Sequence, residues 1–126
     1  QGFNVIVGRA EALPLTSGSV DIVVSRNSFH MWDPVIRGIQ DIFRVLKSGG
    51  TVFLGRGFGP DLDDNVRESV KKRRKEYYNR FVVDHLNTEE PDSPDPGAME
   101  AMFRETGFSI VRLIPDHNSY WIMAKK

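Results

Sequence analysis

The strongest constraint on the fold is the alternation between two apolar patterns in the first half of the chain. Short β-branched runs at Asn4–Val7, Val20–Val24 and Thr51–Leu54 have the length and composition of buried strands. Between the last two runs, apolar residues recur at helical spacing. A strand, a helix and a strand in this order predict parallel strands joined by a crossover helix, and therefore an α/β fold.

The helix between these strands has recognisable ends. Asp33 can cap its start, and Pro34 suits the first helical position. Lys47 falls in the predicted last turn, and Gly49–Gly50 supplies the left-handed backbone that closes helices. The predicted buried stripe of this helix consists of Val35, Ile36, Ile39, Ile42, Phe43 and Leu46.

A charged helix and a loop are predicted after the third strand. Apolar residues recur among many charges over Asp61–Val83, which is typical of a long helix lying on the surface. Asp84–Pro96 is acidic and contains several prolines, so it predicts a loop. The stretch Phe58–Pro96 therefore stands apart from the regular alternation.

The last part of the chain predicts a short helix and two strands. Asp95 and Pro96 begin the helix and Gly107 ends it. Its buried positions are Met99, Met102 and Phe103. Phe108–Ile114 and Tyr120–Ala124 predict strands joined as a hairpin. The sheet is therefore expected to be mixed and mostly parallel, with an antiparallel hairpin at its C-terminal end.

Composition excludes several classes of protein. The 126 residues suffice for a single domain, and 40% hydrophobic residues argue against a disordered chain. The 17 Lys and Arg residues balance 17 Asp and Glu, which argues against sequence-independent binding of nucleic acid. No apolar run is long enough to span a membrane, and the absence of cysteine excludes disulfides. We expect a soluble, cytoplasmic protein.

Two further features have simple structural explanations. The basic run Lys71–Lys75 precedes two tyrosines, but five consecutive charges wrap around a helix instead of forming a stripe for nucleic acid. His85 and His117 each adjoin an aspartate, but no third ligand has the spacing of a metal site. The sequence predicts no metal.

Candidate binding residues follow the predicted strands, because ligands of open α/β sheets lie beyond the carboxyl ends of the strands. Gly8–Glu11 places a small-residue turn and a carboxylate where backbone amides can meet an adenine edge. Ser25–Asn27 puts polar groups after an apolar strand. Gly55–Gly59 precedes a helix, as a nucleotide-binding turn does, but Pro60 removes an amide and Asp61 repels phosphate.

These residues carry a resemblance to a known family. The similar segments are Gly8–Leu15, Gly18–Asn27, His30–Trp32 and Arg44–Gly50, with Glu105–Phe108 as a weaker fifth. Together they resemble the third to fifth strands, and the entry into the sixth, of class I S-adenosylmethionine-dependent methyltransferases. The resemblance implies a Rossmann-like methyltransferase fold and S-adenosylmethionine as cofactor. Residues 58–96 then correspond to the family's variable insertion on the substrate side.

The resemblance also implies site residues. The cofactor-binding positions are Arg9, Ala10 and Glu11 near the adenine, and Ser25, Arg26 and Asn27 near the methionine part. The substrate-side positions are His30, Trp32, Tyr77 and Tyr78. Arg9 stands where the family usually has an acidic residue that accepts a hydrogen bond from the adenine. No catalytic residue is assigned, since methyl transfer needs mainly alignment; His30 as a general base stays a hypothesis.

Two family features have no counterpart here: the Gly-rich turn after the first strand, and the acidic residue that holds the ribose after the second. Both should precede Gln1. We therefore expect residues 1–126 to be a single, truncated methyltransferase domain that begins at the third strand. Unpaired sheet edges left by the missing strands predict a homodimer.

The resulting hypothesis is methyl transfer to a small-molecule acceptor by the intact parent domain. It leaves open whether this stretch alone is active. Two alternatives remain: a non-catalytic, methyltransferase-like module that binds a partner, and a nucleotide-binding oxidoreductase that uses Gly55–Gly59.

Overall fold

A computed structural model describes residues 2–81 and 92–126. Its strands are β1 (Val20–Arg26), β2 (Leu46–Gly55), β3 (Ile110–Asp116) and β4 (Ser119–Lys125). Its helices are α1 (Val35–Val45), α2 (Asp64–Phe81) and α3 (Pro96–Thr106), with a single 3₁₀ turn at Phe29–Met31. The predicted loop Asp84–Pro96 falls largely outside the described residues. Among the described residues, no helix is long and apolar enough to cross a membrane.

The four strands form one mixed sheet in the order β1-β2-β4-β3. β1 pairs with β2 in parallel, whereas β2–β4 and β3–β4 are antiparallel pairs. The α/β class, the mixed sheet and the C-terminal hairpin are thus confirmed. The prediction that the sheet is mostly parallel is wrong for the described residues, where β1–β2 is the parallel pair and the C-terminal hairpin adds two antiparallel pairs.

Helices α1 and α3 pack against alternate residues of the central strands. Val52 and Leu54 of β2 and Ile122 of β4 are fully buried in this core. Their helical and loop partners include Phe29, Ile39, Ile42, Met99 and Phe103. On the other face of the sheet the Phe53 and Trp121 rings stack with centroids 4.8 Å apart.

Helix α3 has the predicted ends. The Asp95 carboxylate accepts a hydrogen bond from the Ala98 amide at 3.1 Å, which caps the first turn. Gly107 closes the helix with a left-handed φ of 114°. Helix α2 likewise lies within the predicted range, and the turn at His117 joins β3 to β4 where a hairpin was expected.

The predicted strand at Asn4–Val7 is wrong. None of these residues is in a strand, and Val5 and Val7 are 89% and 95% exposed. The β-branched composition favours extended backbone, but a strand also needs a neighbour to pair with. No strand in the described ranges lies beside this segment.

The ends of α1 also differ from the prediction. Pro34 occupies the N-cap position, no side chain caps the helix, and the helix starts at Val35. It ends at Val45, so Lys47 belongs to β2. Gly49, with φ 78°, lies within β2, where residues 47–50 bulge opposite Asp21 in the register. The glycines serve this bulge instead of closing the helix.

Gly38 of α1 leaves room for the Trp32 ring, because a Cβ atom at this position would overlap the indole. Gly38→Ala should therefore lower the free energy of unfolding by about 1–3 kcal/mol through overpacking. This cost outweighs the higher helix propensity of alanine, which is worth at most about 1 kcal/mol. Urea denaturation measures this, with the exposed Gln40→Ala as control. A Gly38→Ala protein as stable as wild type would contradict this packing.

Candidate functional site

Parallel pairing brings the carboxyl ends of β1 and β2 together. The Asn27 amide donates to the Gly55 carbonyl at 2.8 Å, and Arg26 Nε donates to the Gly57 carbonyl at 2.7 Å. Asn27 adopts a left-handed φ of 55°, which turns the chain away from the sheet. The predicted segments that follow β1 and β2 therefore meet at one edge of the sheet.

A first pocket, the apolar cleft, lies between the loop at residues 8–15 and strand β1. Its volume is about 320 Å³. Its lining includes Gly8, Arg9, Ala10, Leu13, Val23, Ser25, Ser28 and Trp32. The structure thus brings together four of the predicted site residues, namely Arg9, Ala10, Ser25 and Trp32. The Arg9 side chain is 75% exposed, and its Nε contacts Glu11 at 3.4 Å.

Glu11 holds this loop in place and is not among the residues that line the apolar cleft. Its Oε1 accepts a hydrogen bond from the Asp33 amide at 2.8 Å. This bond is the main cause that lowers the pKa of Glu11 below its ordinary value. Glu11 therefore joins the loop to the segment that follows the 3₁₀ turn.

Asp41 and Arg44 form a second set of contacts that holds the cleft loop, and the sequence did not predict it. Arg44 of α1 donates to both oxygens of Asp41, at 2.7 and 3.0 Å. The same guanidinium donates to the carbonyls of Leu13 and Leu15 at 2.9 and 2.8 Å, and the Leu13 amide donates to Asp41 at 2.5 Å. The hydrogen bonds from Arg44 are the main cause that lowers the pKa of Asp41. This clamp fixes one wall of the cleft to α1.

A second pocket, the arginine pocket, lies on the other side of the end of β1. Its volume is about 330 Å³. Its lining includes Arg26, Asn27, Arg56, Phe58, Arg74, Ser93, Asn118 and Tyr120. Ser25 lines the cleft, whereas the next residue, Arg26, lines the arginine pocket. The residues predicted for one cofactor site are thus divided between two pockets.

Tyr120 forms part of the wall of the arginine pocket. Its hydroxyl donates to the Pro94 carbonyl at 2.6 Å. Burial raises the pKa of Tyr120 to about 12. The phenol is therefore a neutral hydrogen-bonding group throughout the physiological pH range.

The other predicted substrate-side residues lie apart. His30, in the 3₁₀ turn, is 5% exposed and packs edge-to-face with Phe29. Tyr77 is 59% exposed on α2. Tyr78 lies in the same helix, but its side chain is not among those that the structure describes. The roles of these residues toward a substrate stay predictions.

A buried carboxylate, Asp116, organises the turn after β2. It accepts hydrogen bonds from Trp121 Nε1 at 2.9 Å and the Gly59 amide at 2.8 Å, and Arg67 Nη1 lies at 3.3 Å. Burial by itself raises the pKa of Asp116, but the bonds from Trp121, Gly59 and His117, with the charge of Arg67, outweigh burial and lower it. Asp116 is thus charged at neutral pH.

This network bears on the Gly-rich turn at residues 55–59. A Cβ atom on Gly57, whose φ is 99°, would lie 2.5 Å from Asp116 Oδ2. The Gly59 amide, a candidate phosphate donor, already binds that carboxylate. The glycines therefore accommodate the carboxylate of Asp116.

The described residues hold no group of three or more His, Cys, Asp or Glu side chains suited to a metal ion.

Comparison with known proteins agrees with this geometry. Residues 1–54 match a family described as a methyltransferase domain. An uncharacterised chloroplastic methyltransferase of Arabidopsis thaliana is 46% identical over 88 residues, covering 66% of this chain and 24% of that protein. A demethylmenaquinone methyltransferase of Lactococcus lactis is 27% identical over 125 residues, covering 88% of this chain and 47% of that protein.

Solved structures show the same fold. A Methanococcus maripaludis protein described as an S-adenosyl-L-methionine-dependent methyltransferase aligns with a TM-score of 0.68 and 26% identity. The alignment covers 94% of this chain and 52% of that one. The chain thus spans about half, or less, of the length of these relatives.

The two pockets lie at the carboxyl ends of the parallel strands, the edge at which ligands of open α/β sheets bind. The matching domain and the shared fold support a class I S-adenosylmethionine-dependent methyltransferase domain. The apolar cleft lies within the matched residues 1–54.

Removing the charge of Asp41 tests the clamp on the cleft wall. Asp41→Asn should lower the free energy of unfolding by about 1–3 kcal/mol, because the amide replaces a charge-assisted acceptor of Arg44 and Leu13. Chemical denaturation measures this change in the free energy of unfolding. Asp21→Asn, which breaks the exposed pair with Lys47, is the matched control and should change stability by less than about 1 kcal/mol. Equal effects of the two substitutions would contradict the clamp.

Asp116→Asn tests the buried network. It should lower the free energy of unfolding by roughly 3 kcal/mol or more, since the buried Arg67 loses its buried carboxylate and keeps only the exposed Asp64 at 3.8 Å. The pKa of Asp116 is lower in the folded state, so its stabilisation is present above the ordinary aspartate pKa and is lost as pH falls through the lowered value. Unfolding at pH 7 and at acidic pH should therefore show a gap between wild type and variant that narrows at low pH. A stability difference that stays the same at both pH values would refute the role of the Asp116 charge.

Proposed function

We propose that the whole protein transfers a methyl group from S-adenosylmethionine to a small-molecule acceptor, and that this chain supplies one side of the cofactor site. The observation that carries the proposal is the apolar cleft, in which the loop at residues 8–15 faces the carboxyl end of β1. Its position follows the rule for ligands of α/β sheets, and its sequence lies in the matched domain.

The lining of the cleft fits the adenosyl part of this cofactor. The volume of about 320 Å³ falls in the range of small-molecule sites, and Leu13, Val23 and Trp32 offer apolar surface to a planar base. Ala10 keeps the backbone beside the cleft accessible. The exposed Arg9 carries no carboxylate for the adenine amino group, so backbone groups of the loop would have to accept that hydrogen bond.

In this proposal the protein acts mainly by positioning. When bound, S-adenosylmethionine supplies an electrophilic methyl group on its sulfonium centre. The clamp of Asp41 and Arg44 and the Glu11 bond to Asp33 hold the loop that faces the cofactor. Fixing the reactants in line supplies much of the rate enhancement in such transfers.

The class of acceptor is proposed from the relatives. The matching Lactococcus lactis protein is named for demethylmenaquinone, and a matching rice protein is named for 2-methyl-6-phytyl-1,4-hydroquinone. Both names describe small molecules. We therefore propose a small-molecule acceptor for this chain. Residues 58–96 stay the proposed substrate-side insertion.

The earlier alternatives have less support. The dinucleotide hypothesis requires free amides in the turn at residues 55–59, where Asp116 already occupies the Gly59 amide. A non-catalytic binding module stays open, because Arg9 departs from the family pattern. Cofactor binding separates this alternative from the enzyme.

The homodimer and the cytoplasmic location also stay predictions. The outer edge of β1 has no strand partner among the described residues, and Ile22 and Val24 are 64% and 66% exposed there. Such an edge favours pairing with another strand. The molar mass in solution tests the dimer.

Titration calorimetry with S-adenosylhomocysteine tests the proposed cofactor site. Ala10→Leu should weaken binding about tenfold or more, because the larger side chain fills the cleft. Ala101→Leu, at an exposed position of α3, is the matched control and should leave binding unchanged. Equal binding by Ala10→Leu would place the cofactor elsewhere, and no binding by the whole protein would favour the non-catalytic module.

A further inference from the structure

We propose that Ser28 is a positioning residue of the apolar cleft: its hydroxyl donates to Ser25, and the Ser25 hydroxyl donates to the carboxylate in the amino-acid part of the cofactor. This inference rests on the proposed function, since it deepens the same site. Both serines line the cleft. Nothing above gives Ser28 a role.

The two hydroxyl groups meet because the chain turns sharply after β1. Asn27, with its left-handed φ of 55°, turns the backbone between the two serines. The hydroxyls of Ser25 and Ser28 then form a hydrogen bond with each other. Phe29, which follows directly, is fully buried in the core and holds the far side of this turn. The fold itself therefore keeps the two hydroxyls together.

The Ser28 hydroxyl is not used for the contact that its position favours. Ser28 is the N-cap residue of the 3₁₀ turn Phe29–Met31, where a serine oxygen commonly accepts a hydrogen bond from an amide of the turn. Its side chain makes no such cap bond. The Ser28 carbonyl accepts from the Met31 amide instead, at 2.9 Å. The hydroxyl is therefore available to orient Ser25.

The pair leaves one hydroxyl hydrogen for a ligand. Each serine carries one O–H donor, and the bond between the two hydroxyls uses one of them. Within the described ranges neither hydroxyl has a further hydrogen-bond partner. When Ser28 donates to Ser25, the hydrogen of Ser25 is free to be donated at the carboxyl end of β1, where ligands of α/β sheets bind.

The lining around the pair indicates which part of the cofactor it binds. Apart from the two serines, the polar side chains that line the described cleft are Arg9 and Trp32. S-adenosylmethionine joins a planar base to an amino-acid part that carries a carboxylate. The apolar lining suits the base. The hydroxyl suits the carboxylate, because hydrogen bonds to a charged oxygen are roughly twice as strong as neutral ones.

Calorimetric titrations of the whole protein with S-adenosylhomocysteine and with 5′-methylthioadenosine test this assignment. The probes share the nucleoside and the sulfur, but 5′-methylthioadenosine lacks the amino-acid part. Ser25→Ala should raise the Kd of S-adenosylhomocysteine about tenfold or more, because a bond to a charged group is lost. Ser28→Ala should raise it about fivefold, because Ser25 loses its fixed orientation. Both should change the Kd of 5′-methylthioadenosine less than about twofold.

Two further variants separate positioning from a general effect on the fold. Ser28→Thr keeps the hydroxyl and should restore the wild-type Kd. Ser28→Ala should have no further effect in a Ser25→Ala background, since it acts through Ser25. Ser109→Ala is the matched control, because it removes a hydroxyl that donates to the Lys125 carbonyl and does not line the cleft. Thermal melts check that each variant is folded.

A loss of affinity for S-adenosylhomocysteine alone, with rescue by Ser28→Thr, supports the proposal. An equal loss for both probes overturns it, because the serines then do not bind the amino-acid part. An effect of Ser28→Ala that persists without the Ser25 hydroxyl, or failure of the threonine rescue, overturns the positioning role. Binding of S-adenosylhomocysteine that ignores both serines overturns this inference alone. Binding of neither probe by the wild-type whole protein overturns the proposed function.

Discussion

The parallel pairing of β1 with β2 is the constraint on which the candidate site depends. The ladder runs from Ile22 opposite Thr51 to Arg26 opposite Gly55, so both strands end at the same edge. Val52 and Leu54 anchor β2 in the core beneath α1 and α3, with no exposed surface. Since the apolar cleft and the arginine pocket flank this shared edge, a shift in the register would separate their walls.

Two charged networks then determine the shape of the pockets. Asp41 and Arg44 tie the cleft loop to α1, and Asp116 with Arg67 ties the turn after β2 to the hairpin and α2. In each network hydrogen bonds or a cation keep the pKa of the carboxylate low, so it is charged at neutral pH. Polar contacts of this kind position loops that hydrophobic packing alone leaves adjustable.

Patterns that depend on local chemistry could be predicted from the sequence. The cap at Asp95, the stop at Gly107 and the apolar strand β1 follow from such patterns. The candidate residues after β1 also follow from one general rule. Features that depend on distant partners could not be predicted: Asn4–Val7 has strand composition but no strand beside it, and Asp116 lies 49 residues from Arg67. The division of Ser25 and Arg26 between two pockets required the observed strand geometry.

The central claim is that the apolar cleft holds the cofactor. Hydrogen–deuterium exchange of the backbone amides, measured with and without S-adenosylhomocysteine, tests it most directly. The account predicts slower exchange on binding in residues 8–15 and 25–32, with little change in α3. Protection confined to residues 55–59, or bound ligand without protection of the cleft loop, would contradict it.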